Sequence, residues 1–326
     1  MLTRNPPIYQ PPFWQWNGHI QTIYPSLYRK VTGVQYSRES IPTPDDDFLM
    51  LDWSLVGHGL RQDSLVILSH GLEGDSCRPY ITGMVKELNK AGLDCLAWNF
   101  RSCGGTINLQ PRFYHSGATD DLEVVIQHGM AKGYSSIILV GFSLGANLTL
   151  KYLGEKADRL SEHIKKAVVF SVPMDLKLCS LELGKTFFRI YEQRFLRSLK
   201  AKAIQKSILF PAEISQERVK KIKTLYQFDD ELTAGLHGFS SADDYYEKCS
   251  SMHFVSSVKC PTLILNAKND PMIPFYSLPL DVLEKQENIT FELTREGGHC
   301  GFSSSRYAHD DYWSEKRAIR FINYEE

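Results

Sequence analysis

The chain has 326 residues, a formal net charge of -1, 43% hydrophobic and 23% charged residues. This is the composition of a globular protein with enough apolar side chain for a large core, either one large α/β domain with an insertion or two ordinary domains. Near-neutral charge argues against a nucleic-acid partner, which would call for a basic surface.

The opening "MLTRNPPIYQPPFWQWNG" lacks the continuous apolar run of a signal peptide, and its prolines would interrupt one. No stretch reaches the roughly 18 apolar residues of a membrane span. Cys77, Cys95, Cys103, Cys179, Cys249, Cys260 and Cys300 include no C-x-x-C pair. Scattered and odd in number, they read as free thiols in a reducing compartment, so the chain is expected to be cytoplasmic.

Along the chain, Phe48–Val56 alternates as a strand, and Ser64–His70 and Leu93–Phe100 are continuous buried-strand candidates. Ser136–Phe142, Lys166–Val172, Thr262–Ala267 and Ile289–Thr294 follow the same pattern. The helix-like stretches "YITGMVKELNKAG", "GATDDLEVVIQHGMAKG" and "GANLTLKYLGEKA" lie between them, with apolar residues spaced by three and four. Gly92, Gly133 and Gly154 are expected to stop these helices, and Asp120 and Asp121 suit a helix N-terminus. Strand and helix in alternation predict an α/β fold with a mostly parallel central sheet covered on both faces. From about Asp175 to Val255 the text is helix-like without a good strand, which reads as a helical cap inserted into the sheet domain.

Gly141-Phe142-Ser143-Leu144-Gly145 is a G-x-S-x-G at the joint between a predicted strand and a predicted helix. In that context it reads as a nucleophile elbow: a turn tight enough to strain the serine backbone, with glycines that let strand and helix pass. The competing reading is a glycine-softened turn whose serine only caps the helix; the agreement of strand, turn and helix weighs against it. A serine hydroxyl needs a base, and the base an orienting group, in the chain order Ser, acid, His. Asp270 follows the strand Thr262–Ala267, and His299, preceded by two glycines, follows Ile289–Thr294. Both fall at C-terminal strand ends, where sites of parallel sheets form. Asp175 is the competing acid. His115, His128, His237 and His309 read as surface or structural. The turn "SHGLEGDS" after Ser64–His70 and the residue after Ser143 would lend the main-chain N–H groups of Leu72 and Leu144 to an oxyanion hole.

The chain resembles the YheT-like branch of the α/β hydrolases. The matching text is "WNGHIQTIYPSL", "LSHGLEGDS", "NFRSCGGTIN", "YHSGATDDL", "VGFSLGANLTLKYLGE", "FDDELTAGLHGFSSADDYY", "NAKNDPMIP" and "GGHCGF", in order along nearly the whole length. With the cap read over 175–255, the α/β-hydrolase core is expected to take residues 1–174 and 256–326, with the first ~40 residues packed on it. The resemblance maps the triad onto Ser143, Asp270 and His299, and implies esterase or lipase-like chemistry. An H-x-x-x-x-D pattern, discussed in some relatives as an acyltransferase mark, occurs from His70 to Asp75. It overlaps the oxyanion turn, so His70 reads as structural and Asp75 as a loop or cap residue. The family's "NFRGCSG" stands here as "NFRSCGG", with Ser102 departing from it.

Phe187, Phe188, Tyr191 and Phe195 would line the substrate pocket and favour an acyl or aryl group. The same stripe among Lys185, Arg189, Arg194, Arg197 and Lys200 could rest on a membrane surface, though packing of the cap explains it more simply. The expected partner is a small-molecule ester with an apolar acyl group. No metal cluster, phosphate loop or dinucleotide fingerprint occurs, and a triad needs no cofactor. The reaction could also end by transfer to an alcohol, using the same residues. A non-catalytic binding protein would usually have lost a triad member.

Overall fold

In the middle of the sheet the strands carry buried apolar runs such as Leu65-Val66-Ile67-Leu68 and Ile137-Ile138-Leu139-Val140, as parallel strands covered on both faces require. The computed structural model describes residues 9–57, 63–185, 189–304, 310 and 312–324. The strands are β1 (Ser37–Pro42), β2 (Phe48–Ser54), β3 (Ser64–Ser69), β4 (Asp94–Asn99), β5 (Ser136–Phe142), β6 (Ile164–Phe170), β7 (Thr262–Ala267) and β8 (Ile289–Thr294). They form one sheet in the order β1-β2-β4-β3-β5-β6-β7-β8. β1 and β2 are antiparallel to their neighbours, and β3 through β8 pair in parallel with one another. Edge strand β1 has no counterpart in the sequence reading. Its text, "SRESIP", is polar and ends in proline, as an edge half open to water tolerates.

Helices α2 (Pro79–Lys90), α3 (Thr119–Ala131) and α4 (Leu144–Lys156) pack on this sheet, and α1 (Gly18–Tyr28) packs against α2. Alternate strand residues divide between two core layers. Leu65, Ile67, Ile137, Leu139 and Val169 meet α3 and α4 on one face. Val66, Leu68, Ile138, Val140 and Val168 meet α2 and the C-terminal helix Trp313–Tyr324 on the other. Gly92 and Gly133 follow α2 and α3 in the left-handed region, at φ 83° and 85°. The expected stop at Gly154 is corrected: α4 runs on to Lys156. That glycine instead lets the helix approach another backbone, since a Cβ there would collide with the Phe254 carbonyl.

Between β6 and β7 the described residues are helical, with α5 (Leu176–Leu183), α6 (Ile190–Leu209) and shorter helices at Gln216–Lys221 and Ala242–Cys249. Asp175 opens this segment as the N-cap of α5, its carboxylate accepting from the Leu178 N–H at 2.8 Å. Lys206 of α6 is buried, and its ammonium donates to the Pro111 and Arg112 carbonyls at 3.4 and 3.1 Å and also to that of Gln110. Burial pushes the Lys206 pKa down to about 8. Among the described residues no helix is long and apolar enough to cross a membrane.

Candidate active site

Ser143 stands between β5 and α4 with φ 53° and ψ -118°, a conformation that L-residues seldom adopt. Flanking sterics account for it. A Cβ on Gly141 would lie 2.6 Å from the Gly145 carbonyl, and one on Gly145 would run into the carbonyls of Ser69 and His70. Neither position accepts a side chain, so strand and helix meet close enough to force the serine outward. The Ser143 N–H is held by the Phe170 carbonyl at 2.9 Å.

His299 and Asp270 converge on this serine. The Ser143 Oγ lies 2.9 Å from His299 Nε2, and His299 Nδ1 lies 2.9 Å from Asp270 Oδ2. Asp270 is buried, and its other oxygen accepts from the Met272 and Ile273 N–H groups at 2.8 and 3.1 Å. Three contacts on the carboxylate, two from main-chain N–H groups and one from the imidazole, fix both the ring and the acid.

The loop carrying His299 is held from far away in the chain. The His299 N–H donates to Thr22 Oγ1 at 2.8 Å and the Gly297 N–H to Gln21 Oε1 at 2.8 Å. The Gly298 N–H donates to Asn269 Oδ1 at 3.0 Å, while Asn269 Nδ2 donates to Gln21 Oε1 at 2.9 Å. Gln21 and Thr22 lie on α1 with both side chains buried. Sequence reasoning placed the N-terminal residues on the core but singled out neither. The available signal was a Gln-Thr pair set between Ile20 and Ile23.

Leu72 and Leu144 both border the cavity in front of Ser143. Among the described residues, no acceptor is paired with the main-chain N–H of either one. Gly71 brings the turn close, because a Cβ on it would stand 3.2 Å from the Ser143 Cβ. His70 is buried; its Nε2 accepts from the Phe100 N–H at 3.1 Å, so Nδ1 carries the proton donated to the Gly71 carbonyl at 2.8 Å. Burial pushes its pKa down to about 3, and it stays a neutral brace between β3 and β4. Asp75, the other end of the H-x-x-x-x-D, accepts from the Cys77 N–H at 2.9 Å in a local turn. Ser102 adopts φ 64°, which explains why glycine is usual in that family position. Its hydroxyl is 2.5 Å from Asn108 Oδ1. The same loop is anchored by buried Arg101, whose guanidinium meets Asp47 and Asp121 at 2.7 Å each.

Two cavities meet at Ser143 and share Leu72, Glu73, Phe195, Met272 and His299. One runs beneath the β6–β7 segment among Phe113, Leu176, Leu183, Leu199 and Phe228. The other opens between α1, α2 and α6 beside Thr22, Arg78, Tyr80 and Arg194. Phe195 therefore borders both. Tyr191 borders only the second, and its hydroxyl lies 3.0 Å from His19 Nδ1. Phe187 and Phe188 lie outside the described residues.

A family model described as the alpha/beta hydrolase fold matches residues 64–305. YheT of Escherichia coli (strain K12) is 33% identical over 305 residues, covering 92% of this chain and 88% of that protein. Phospholipase ABHD3 of Homo sapiens is 29% identical over 321 residues, covering 96% of this chain and 78% of that one. Among solved structures, the esterase Pf2001 of Pyrococcus furiosus superposes with a TM-score of 0.57 at 18% identity over 98% of each chain. That last likeness is one of fold.

Proposed function

The chain belongs to the α/β hydrolase fold family, in the company of YheT, and from that premise we propose that it is a carboxylic ester hydrolase working through Ser143, His299 and Asp270. The observation that carries the reading is the unbroken relay of two 2.9 Å contacts from the Ser143 hydroxyl through the imidazole to Asp270. In this reading His299 Nε2 takes the hydroxyl proton as Ser143 Oγ attacks the ester carbonyl, and Asp270 stabilises the imidazolium. The tetrahedral oxygen would be received by the free N–H groups of Leu72 and Leu144. Collapse transfers the proton to the departing alcohol and leaves an acyl-enzyme, which water resolves by the same steps in reverse.

The substrate is read as an acyl ester of lipid-like character. The acyl chain fits the apolar cavity beneath the β6–β7 segment, and the alcohol fits the arm beside Arg78 and Arg194. The name of the relative phospholipase ABHD3 supports an ester with a long apolar part. In this reading residues 175–255 serve as the cap, set on a core of 1–174 and 256–326.

A fluorophosphonate probe is expected to label Ser143, and Ser143→Ala to abolish labelling and lower ester turnover by about six orders of magnitude. Labelling at another residue, detected by peptide mass spectrometry, overturns the assignment. Assaying p-nitrophenyl esters of increasing acyl length then ranks the chain that the cavity accepts.

A further inference from the structure

Glu73 is a buried acid next to the place where negative charge would develop, an unfavourable position unless something neutralises it. Its backbone is left-handed, at φ 54°, without being glycine. Both features are held in place by contacts from elsewhere. The Tyr114 hydroxyl accepts from the Glu73 N–H at 2.9 Å and donates to its Oε1 at 2.8 Å. Lys202 Nζ donates to Oε1 at 2.9 Å, and the Ser198 hydroxyl donates to Oε2. Ser198 and Lys202 are four residues apart on α6, hence on one helix face. Arg78 Nη2 holds the Glu73 carbonyl at 2.7 Å.

Three successive N–H groups show what this arrangement does. That of Gly71 is taken by the Tyr80 hydroxyl at 3.0 Å and that of Glu73 by the Tyr114 hydroxyl. The one between them, on Leu72, is left free at the cavity wall. Fixing both neighbours fixes the peptide plane between, so the Leu72 donor is aimed without being consumed.

We infer that Glu73 is a positioning residue that ties the oxyanion turn to helix α6, so that the seating of the β6–β7 segment sets the aim of the Leu72 N–H. The inference rests on the ester-hydrolase reading and adds a coupling between segment and oxyanion hole. Lys202 neutralises the acid, Ser198 and Tyr114 orient it, and Glu73 passes the position of α6 to the turn.

The test uses the full chain, with active sites counted by fluorophosphonate titration so that misfolded protein drops out of the rate. Glu73→Ala is expected to lower kcat on a p-nitrophenyl ester by 10- to 100-fold with KM changed less than about threefold, somewhat short of the 10²–10³ for losing an oxyanion donor outright. Lys202→Met, which leaves the acid buried and unpaired, is expected to fall by a similar factor, and Glu73→Gln/Lys202→Met to recover most of that loss. Binding of a trifluoromethyl ketone, whose adduct on Ser143 carries the oxyanion, should weaken in proportion to kcat/KM across the set. Glu73→Ala or Lys202→Met with kcat within twofold of the parent, or a ketone affinity that stays constant while kcat falls, overturns the inference. Failure of the parent chain to label or to cleave esters would instead strike the hydrolase reading itself.

Discussion

The turns carrying Ser143 and His299 face each other across 2.9 Å and are built in opposite ways. The first is self-sufficient: Gly141 and Gly145, each two residues from the serine, leave no room for any other path between β5 and α4. The second borrows its shape. Its N–H groups are held by Gln21, Thr22 and Asn269, of which the first two stand more than 270 residues earlier. A left-handed φ of 58° at Gly298 belongs to the same arrangement, since a Cβ there would lie 2.7 Å from Thr22 Oγ1 and from the Gly18 carbonyl. The contrast teaches that a nucleophile can be mounted by local sterics, whereas a base and its acid are placed by the tertiary structure.

The most severe way to break the second turn is through the acid. Asp270→Asn is expected to lower kcat by about four orders of magnitude, while Asp175→Asn, at a helix cap away from His299, should stay within a fewfold of the parent. Steady-state rates on one ester decide it, and a severe Asp175 variant would reassign the acid. Next in size are the borrowed supports. Gln21→Leu or Thr22→Val should cost up to about 100-fold in kcat although neither touches Ser143, because a displaced base loses its geometry. Full activity in both variants would make the second turn as self-sufficient as the first.

The smallest effect concerns Asp229, which belongs to neither turn and gives a baseline for a half-buried group outside the relay. Its carboxyl accepts from the Tyr246 and Thr233 hydroxyls at 2.6 and 2.7 Å, and burial raises its pKa from 3.8 to about 6. A raised value means that the folded state holds the proton more tightly. The stabilisation is complete below pH 3.8 and is lost as pH rises through about 6. Asp229→Asn should therefore match the parent near pH 3.8 and exceed its stability at pH 7 by about 3 kcal/mol, as read by denaturant melts across that range. A constant difference at every pH would place the proton elsewhere.

Much of the sheet was legible because burial on both faces leaves a continuous apolar run. Ser136–Phe142, Thr262–Ala267 and Ile289–Thr294 form strands with the limits read from the sequence. Edge strand β1 was not, since water on one side removes the need for an apolar run. His70 was read as structural on overlap alone, and the reason emerges only with Phe100 placed beside it. Gly154 reads as a helix stop in one dimension and is a contact with Phe254 in three.

By itself the sequence determined the kinked mounting of Ser143 and the alternation of strand and helix that puts an acid and a histidine after successive strands, because both follow from sterics and periodicity among near neighbours. Only the tertiary structure decided how far His299 reaches, which N–H groups are left free at Leu72 and Leu144, and that Gln21, Thr22 and Glu73 hold these in place. Such contacts join residues up to 277 positions apart, and no local pattern records a hydrogen bond whose partner is brought in by the packing of the whole chain.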